Sequence, residues 1–397
     1  MRAAWCAGPL LALYFVLAGA AAAAPRIGLV TMQPGDAYWA RFGHNAILVE
    51  DAAGRRIHYN YGYFDFEEPN FLLNFLRGKM EYRLLALPAE HDLAIYADEG
   101  RGVSVQWLAM EPPAAAELAG FLAWNARPEN ARYRYDYFTA NCSTRVRDAL
   151  DQALGGLLKR QLSGRSRGLT YRWESLRLGA PLPWLFLGMH AGLGPFADQP
   201  LSRWDEGFVP MHLAEAVREA SQPDGSPLVL AEEQLLPHRT GLPPDERPWV
   251  LPWFALAGLA LAATIALGAG GGRASARSRT AATLAAVLWL LAGLGGLLLA
   301  FLWAFTDHQA AWANENLLLF NPLALVLLAA VPALWRGRAA APWLAWTARL
   351  VLLCALLAVF LKFLPWRVQD NLDWIAFWLP VHVAGAWALR REGARTG

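Results

Sequence analysis

Charge and cysteine are both scarce in this chain of 397 residues. Only 17% of it is charged, the formal net charge is +2, and there are three cysteines. So small a net charge, with no basic stripe interleaved with aromatics, excludes a nucleic-acid partner. Three cysteines are too few for the disulfide frameworks that hold small secreted domains together. There is no H-E-x-x-H and no C-x-x-C, so neither a zinc site nor any other metal site has a motif to rest on. A phosphate-binding P-loop is missing too, and no cofactor is expected. The polar half of the chain carries no internal repeat.

Apolar surface is what the chain has in excess. It is 56% hydrophobic and holds 19 tryptophans, so part of it should lie in lipid. The N-terminus has Arg2, an apolar run from Gly8 to Gly19 and the small-residue string AGAAAAAP. That pattern predicts a secretory signal over residues 1–23, cleaved near Ala22 or Ala23; the apolar run is short for an uncleaved anchor. Cys6 leaves with it. Residues 24–245 then read as an exported domain. After GLPPDERPW the composition changes abruptly, and a transmembrane domain over 249–390 follows, with a tail at 391–397. Its apolar runs cover 249–268, 281–305, 316–335, 343–364 and 374–389, each suited to a helix of the roughly 20 residues that cross a bilayer. The gaps GGGRASARSR and WRGRAA and the tail RREGARTG are rich in arginine, whereas TDHQAAWANEN and PWRVQDNLD carry acids, amides and one arginine. The positive-inside rule puts the arginine-bearing segments and the tail in the cytoplasm. With five spans, residues 24–245 fall on the opposite, periplasmic side of the inner membrane, in agreement with the signal.

Within that domain HNAILVE, RIHYNYGYF, EYRLLAL and VSVQWLAM alternate as short strands, and EPNFLLNFLRG and PPAAAELAGFLAW read as helices. The fold class is α+β. The stretch 179–196 is apolar but broken by prolines and glycines, and is expected to pack or lie at an interface. Cys142, in YFTANCSTRVRDALD, begins an i, i+3, i+4 apolar stripe through Val146, Ala149 and Leu150. Asn141 is a good N-cap, placing Cys142 in the first helical turn, where the helix dipole favours a thiolate. An inert buried cysteine is the alternative, but an unpaired thiol in an exported domain suggests reactivity. Cys354, inside the fourth apolar run, reads as packing.

A thiol nucleophile needs a base. His44 follows Gly43 at the start of a strand. His91 reads as a helix N-terminal residue, His238 as linker, and His190 and His212 as packing or surface residues. His58 and Asn60 share one strand face, opposite Ile57, Tyr59 and Tyr61, and either could orient His44. GRSRG at 164–168 fits G-x-S-x-G, but Ser166 lacks the preceding strand that a nucleophile elbow needs.

FGHNAILV, YNYGYFDF, FLLNFLRGKMEYRL, YRYDYFTANCSTRVRDALD and the later DQPLSRWDEGFVPMHLAEAV resemble the Lnb lipoprotein intramolecular transacylase family. The resemblance extends to five spans after an exported domain. It implies a circularly permuted papain-like (NlpC/P60-related) fold, with His44 as general base, Cys142 as nucleophile and Asn60 as the polar orienter. It further implies an acyltransferase that moves an ester-linked acyl chain of a lipoprotein to the lipoprotein's N-terminal amine through a Cys142 thioester. The partners would be a lipid-modified lipoprotein or membrane lipid, and the bilayer. Asn141 and Tyr135 beside the thiol, and His308 and Asn316 in the loop FTDHQAAWANENLLLF, are taken as substrate-binding; that loop's polar groups would equally well position the exported domain. Lys362 and Arg367 would attract phosphate or snorkel. The same His/Cys pair would serve a membrane-anchored cysteine hydrolase of peptidoglycan or thioesters, and a non-catalytic scaffold is a third class. Rare charges inside the spans, Arg349 being the exception, argue against a transporter.

Overall fold

The computed structural model describes residues 24–64, 69–269 and 275–393; the signal segment, Glu68 and the last four residues of the tail lie outside them. Strands β1 (Arg26–Met32), β2 (His44–Glu50) and β3 (Arg56–Tyr63) lead to α1 (Phe71–Leu76), β4 (Glu81–Pro88) and α2 (Ala89–Asp98). Next come β5 (Val103–Leu108), α3 (Pro112–Asn125), β6 (Arg132–Arg134), α4 (Cys142–Ala153), α5 (Leu157–Leu162), α6 (Tyr171–Gly179), α7 (Pro183–Gly192), α8 (Arg203–Glu206), α9 (Pro210–Glu219) and β7 (Val229–Leu236). The strands form one seven-stranded antiparallel sheet in the order β6-β4-β3-β2-β1-β5-β7.

The four strands expected from alternation are β2 to β5. β1 was not legible that way because RIGLVTM is covered on both faces, where period-2 alternation disappears. Ile27 and Leu29 pack with α3, α4 and α9, whereas Val30 and Met32 lie on the other face with Leu93 and Tyr96 of α2. β7 is an exposed edge strand of mixed polarity, VLAEEQLL. In α4 the predicted stripe is inward: Val146 and Leu150 are fully buried against the sheet. The α+β sheet domain is followed by the helical membrane domain.

Five segments are long and apolar enough to cross a membrane: α10 (Leu251–Ala269), α11 (Ala276–Phe305), the stretch Glu315–Trp335, α13 (Pro342–Leu361) and α14 (Leu372–Gly393). The third is not a regular α-helix. Tighter 3₁₀ turns at Glu315–Leu318 and Pro322–Ala330 precede α12 (Val331–Trp335). Asn321 caps the break before Pro322 by accepting from the Leu323 amide at 3.0 Å, and Gly293 and Gly296 of α11 let the segment press against that helix. Exposed Trp249, Trp253, Trp303, Trp312 and Trp366 ring the end near the sheet domain, and Trp335, Trp343 and Trp346 the remote end. Two such belts mark the two bilayer interfaces.

The two halves are joined by buried hydrogen bonds. His190 of α7 donates to Asp373 at 2.8 Å, and Arg247 also binds Asp373, at 3.1 Å, together with Asp370. Asn314 donates to the carbonyls of Ala191 and Gly192, each at 2.9 Å, and Asn316 to Ala191 at 3.0 Å. The apolar stretch 179–196 is therefore an interface element. Lys362 and Arg367 both hold the fully buried Glu315, at 2.6 and 2.8 Å, and Arg367 stays 35% exposed. A carboxylate removed from water needs such partners.

Candidate active site

Local geometry at the start of α4 sets the thiol. Asn141 has extended backbone and accepts from the Thr144 amide at 2.9 Å, while Thr144 Oγ1 accepts from the Asn141 amide at 2.8 Å. This reciprocal cap starts the helix at Cys142, whose sulfur sits over its free N–H groups. Across the helix start Ser143 Oγ donates to Asn45 Oδ1 at 2.8 Å, so the residue after His44 is tied to the residue after Cys142.

The strand side comes equally close. Gly62 has φ +94° beside an irregularity between Asn60 and Tyr63, and a methyl placed on it would lie 3.4 Å from Cys142 Cβ. Bulges of this kind re-aim side chains beside reactive centres. His44 opens β2 with its imidazole near enough to the Cys142 thiol for the two to interact electrostatically, and its Nε2 lies 3.0 Å from Asn60 Oδ1. Asn60 Nδ2 donates to Asp92 Oδ2 at 3.2 Å, and His58 Nδ1 donates to the same oxygen at 2.8 Å. A carboxylate only accepts, so Asp92 obliges Asn60 to turn its oxygen towards His44. His44 then carries its proton on Nε2, leaving Nδ1 for the sulfur. Of the two orienters open from periodicity, Asn60 touches His44; His58, fully buried, steadies Asp92 instead.

Electrostatics favour a charge pair. Burial pushes the Cys142 thiol up, but the His44 charge, the hydrogen bond to it and the amides of Asn45 and Ser143 bring it below its ordinary value. Burial likewise opposes charge on His44; the Cys142 charge and hydrogen bond outweigh that and the repulsion of Arg101, so His44 is raised. Each charge favours the other.

Aromatic side chains wall the site. Tyr135 packs on Tyr82 at 4.2 Å and on Tyr137 at 5.9 Å, and Tyr137 stacks on His308 at 5.9 Å. The Tyr133 hydroxyl is buried with no hydrogen-bond partner among the described residues, on the Gly62 side of the thiol. Burial and then the Cys142 charge raise Tyr133 and Tyr135 well above the usual tyrosine range, which keeps both as O–H donors. Sequence reasoning overlooked Tyr133, Asp92 and Asn45; Tyr133 stands in the quoted run YRYDYF, but Asp92 carries no local signal.

The other expected residues are placed as follows. Asn141 is buried, and its amide also donates to the carbonyls of Tyr137 and Phe208 at 2.9 Å. Asn316 is fully buried at the junction, its oxygen accepting from Asn371 at 2.9 Å. His308 donates to the Phe75 carbonyl at 2.9 Å. Ser166 is in a loop, donating to the Leu201 carbonyl at 2.5 Å. Cys354 lies half-buried within α13. Among the described residues no three His, Cys, Asp or Glu side chains gather in a way that could hold a metal ion.

Comparison with curated proteins gave no match, and comparison with solved structures gave none. Family models do match: residues 17–177 correspond to the Lnb N-terminal periplasmic domain and residues 247–387 to the Lnb transmembrane domain. This multi-pass membrane protein, with its periplasmic sheet domain, belongs to the Lnb family.

Proposed function

We propose that the protein is a membrane-bound acyltransferase that moves an ester-linked acyl chain of a lipoprotein to that lipoprotein's N-terminal amine through a thioester on Cys142. The observation that carries this is the row Cys142–His44–Asn60–Asp92, a thiol, imidazole and amide brought together in a domain braced against the spans. Family membership supports the lipoprotein as substrate. The Cys142 thiolate adds to the ester carbonyl and the C=O π pair moves to oxygen. The Tyr133 hydroxyl and backbone N–H groups at the start of α4 are the donors for that oxyanion. Collapse breaks the C–O bond, and the departing alkoxide takes the proton from His44 Nδ1. The lipoprotein amine then attacks the thioester, His44 takes its proton, and Cys142 leaves as thiolate. Asn60 holds the imidazole throughout. Tyr135 and His308 face the acyl route, whereas Asn141 and Asn316 act through the helix cap and the junction. The arginine-bearing loops and the tail are cytoplasmic in this reading.

Intact mass spectrometry of protein isolated from membranes tests it. A fatty-acyl mass on Cys142, removed by hydroxylamine, is expected, with N-acylation of a co-expressed lipoprotein; a peptide-sized adduct would instead mean a hydrolase. Tyr133→Phe should slow acylation about 10²-fold while leaving iodoacetamide alkylation of Cys142 unchanged, because alkylation forms no oxyanion.

A further inference from the structure

Helix α1 is inside out. In FLLNFL the apolar Leu72, Leu73, Phe75 and Leu76 are exposed, Leu72 to 67%, while the single polar residue, Asn74, is half-buried. No residue of this helix is buried. In water such polarity is unfavourable at every position, and a contiguous apolar face of this kind marks a contact surface. Its location names the contact. The carbonyl of Arg77, just past α1, accepts from the Asp307 amide at 2.8 Å, and Arg134 bonds both the Gly78 carbonyl, at 2.7 Å, and Asp307, at 2.9 Å. Asp307 is two residues beyond Phe305, where membrane-spanning α11 ends with its ring 74% exposed. The apolar face of α1 therefore continues the lipid-facing surface of α11. Arg77 and Lys79, both exposed, follow directly after α1, as cationic side chains do beside an apolar face that meets lipid.

The opposite rim has the same character. Trp39 and Trp184 are exposed by 54% and 60%, and Trp184 belongs to α7, which is pinned to the membrane domain through His190 and Asp373. From α1 a series of rings leads inwards: Phe71 to Phe64 at 6.1 Å, Phe64 to Tyr82 at 5.3 Å, and Tyr82 to Tyr135 beside the thiol.

We infer that α1 is embedded in the acyl-chain region of the outer leaflet, so that the mouth of the Cys142 site opens into lipid. The occupant of the α1 face is the bilayer itself. The link to an acyl route rests on the proposed transfer reaction; the membrane contact does not.

The test uses full-length protein in phosphatidylethanolamine–phosphatidylglycerol proteoliposomes. Leu72→Cys, in a background carrying Cys142→Ala and Cys354→Ala, is labelled with a bimane fluorophore. Ala53→Cys, in the exposed turn at the other end of β2 from His44, serves as the reference. The label at 72 should be quenched by lipids bearing a nitroxide high on the acyl chain and shielded from aqueous iodide, and the label at 53 the reverse. Equal iodide quenching at both positions would overturn the inference. With Cys142 intact, the pair Leu72→Glu and Leu76→Glu should slow thioester formation from bilayer-embedded ester by about 10-fold or more, and leave iodoacetamide alkylation of Cys142 unchanged. Unchanged thioester formation would count against the lipid-facing mouth. If the depth result holds and no thioester ever forms, the transfer reaction is wrong and the membrane contact stands.

Discussion

His44 and His190 are set in parallel surroundings and end in opposite states. His190 is fully buried and His44 half-buried, and each gives Nε2 to an oxygen, of Asn60 at 3.0 Å or of Asp373 at 2.8 Å. Burial opposes charge on both. At His190 burial prevails, with Arg172 and Arg247 adding to it, and the ring is held below its ordinary value. Its Nδ1 is buried without a hydrogen-bond partner among the described residues. At His44 the other nitrogen meets a thiol, and the ring is raised. The difference lies on the far side of the ring: one histidine is a strut between two domains, and the other is shifted towards its charged form by a thiol.

Changes that remove one half of that pair should be the most damaging. Cys142→Ala and His44→Ala are each expected to lower acyl transfer by at least about 10³-fold, with circular dichroism and melting temperature close to those of the parent. An active Cys142→Ala protein would end the thiol mechanism. On the strut side, Asp373→Ala leaves His190 without its acceptor and Arg247 with Asp370 alone, and should cost about 1–3 kcal/mol, read as a lower melting temperature in detergent. Alkylation of Cys142 at 25 °C should persist there, and its loss would mean that junction and site are not separable. Asn60→Ala should slow transfer by about 10²-fold, since the imidazole keeps the thiol but loses its orientation.

The pH profile gives the finest distinction. Cys142 is lowered, so iodoacetamide alkylation should persist to lower pH than for an ordinary thiol, and fade as pH falls through the depressed value and sulfur is protonated. Transfer also needs the imidazolium, so it should fall again as pH rises through the raised value of His44. In His44→Ala burial acts on the thiol without its cationic partner, and the alkylation profile should move to higher pH. His190→Ala should leave it in place. A shift there would dissolve the contrast between the two histidines.

Much of this arrangement was readable from residues alone, for reasons that differ by element. The spans declare themselves by composition, because lipid requires about 20 apolar residues wherever the backbone crosses. Asn141 and Cys142 declare themselves because a cap and its helix are consecutive in sequence. Asn60 and His58 could not be separated, since strand alternation places both on one face; the choice is made by Asp92, on a helix 34 residues beyond His58. β1 stayed hidden because both its faces are covered. The ion pairs of Lys362 and Arg367 were not legible because their partner, Glu315, belongs to another segment and its burial leaves no trace in sequence.

The bracing at both rims has a kinetic corollary. With α7 tied to Asp373 and the chain after α1 tied to Asp307, the thiol keeps one height relative to the spans. It does not travel to its substrate. The relevant concentration is then molecules per unit area of membrane rather than per volume. Turnover should follow the mole fraction of acyl donor in the bilayer, and fall when inert lipid is added at constant bulk concentration.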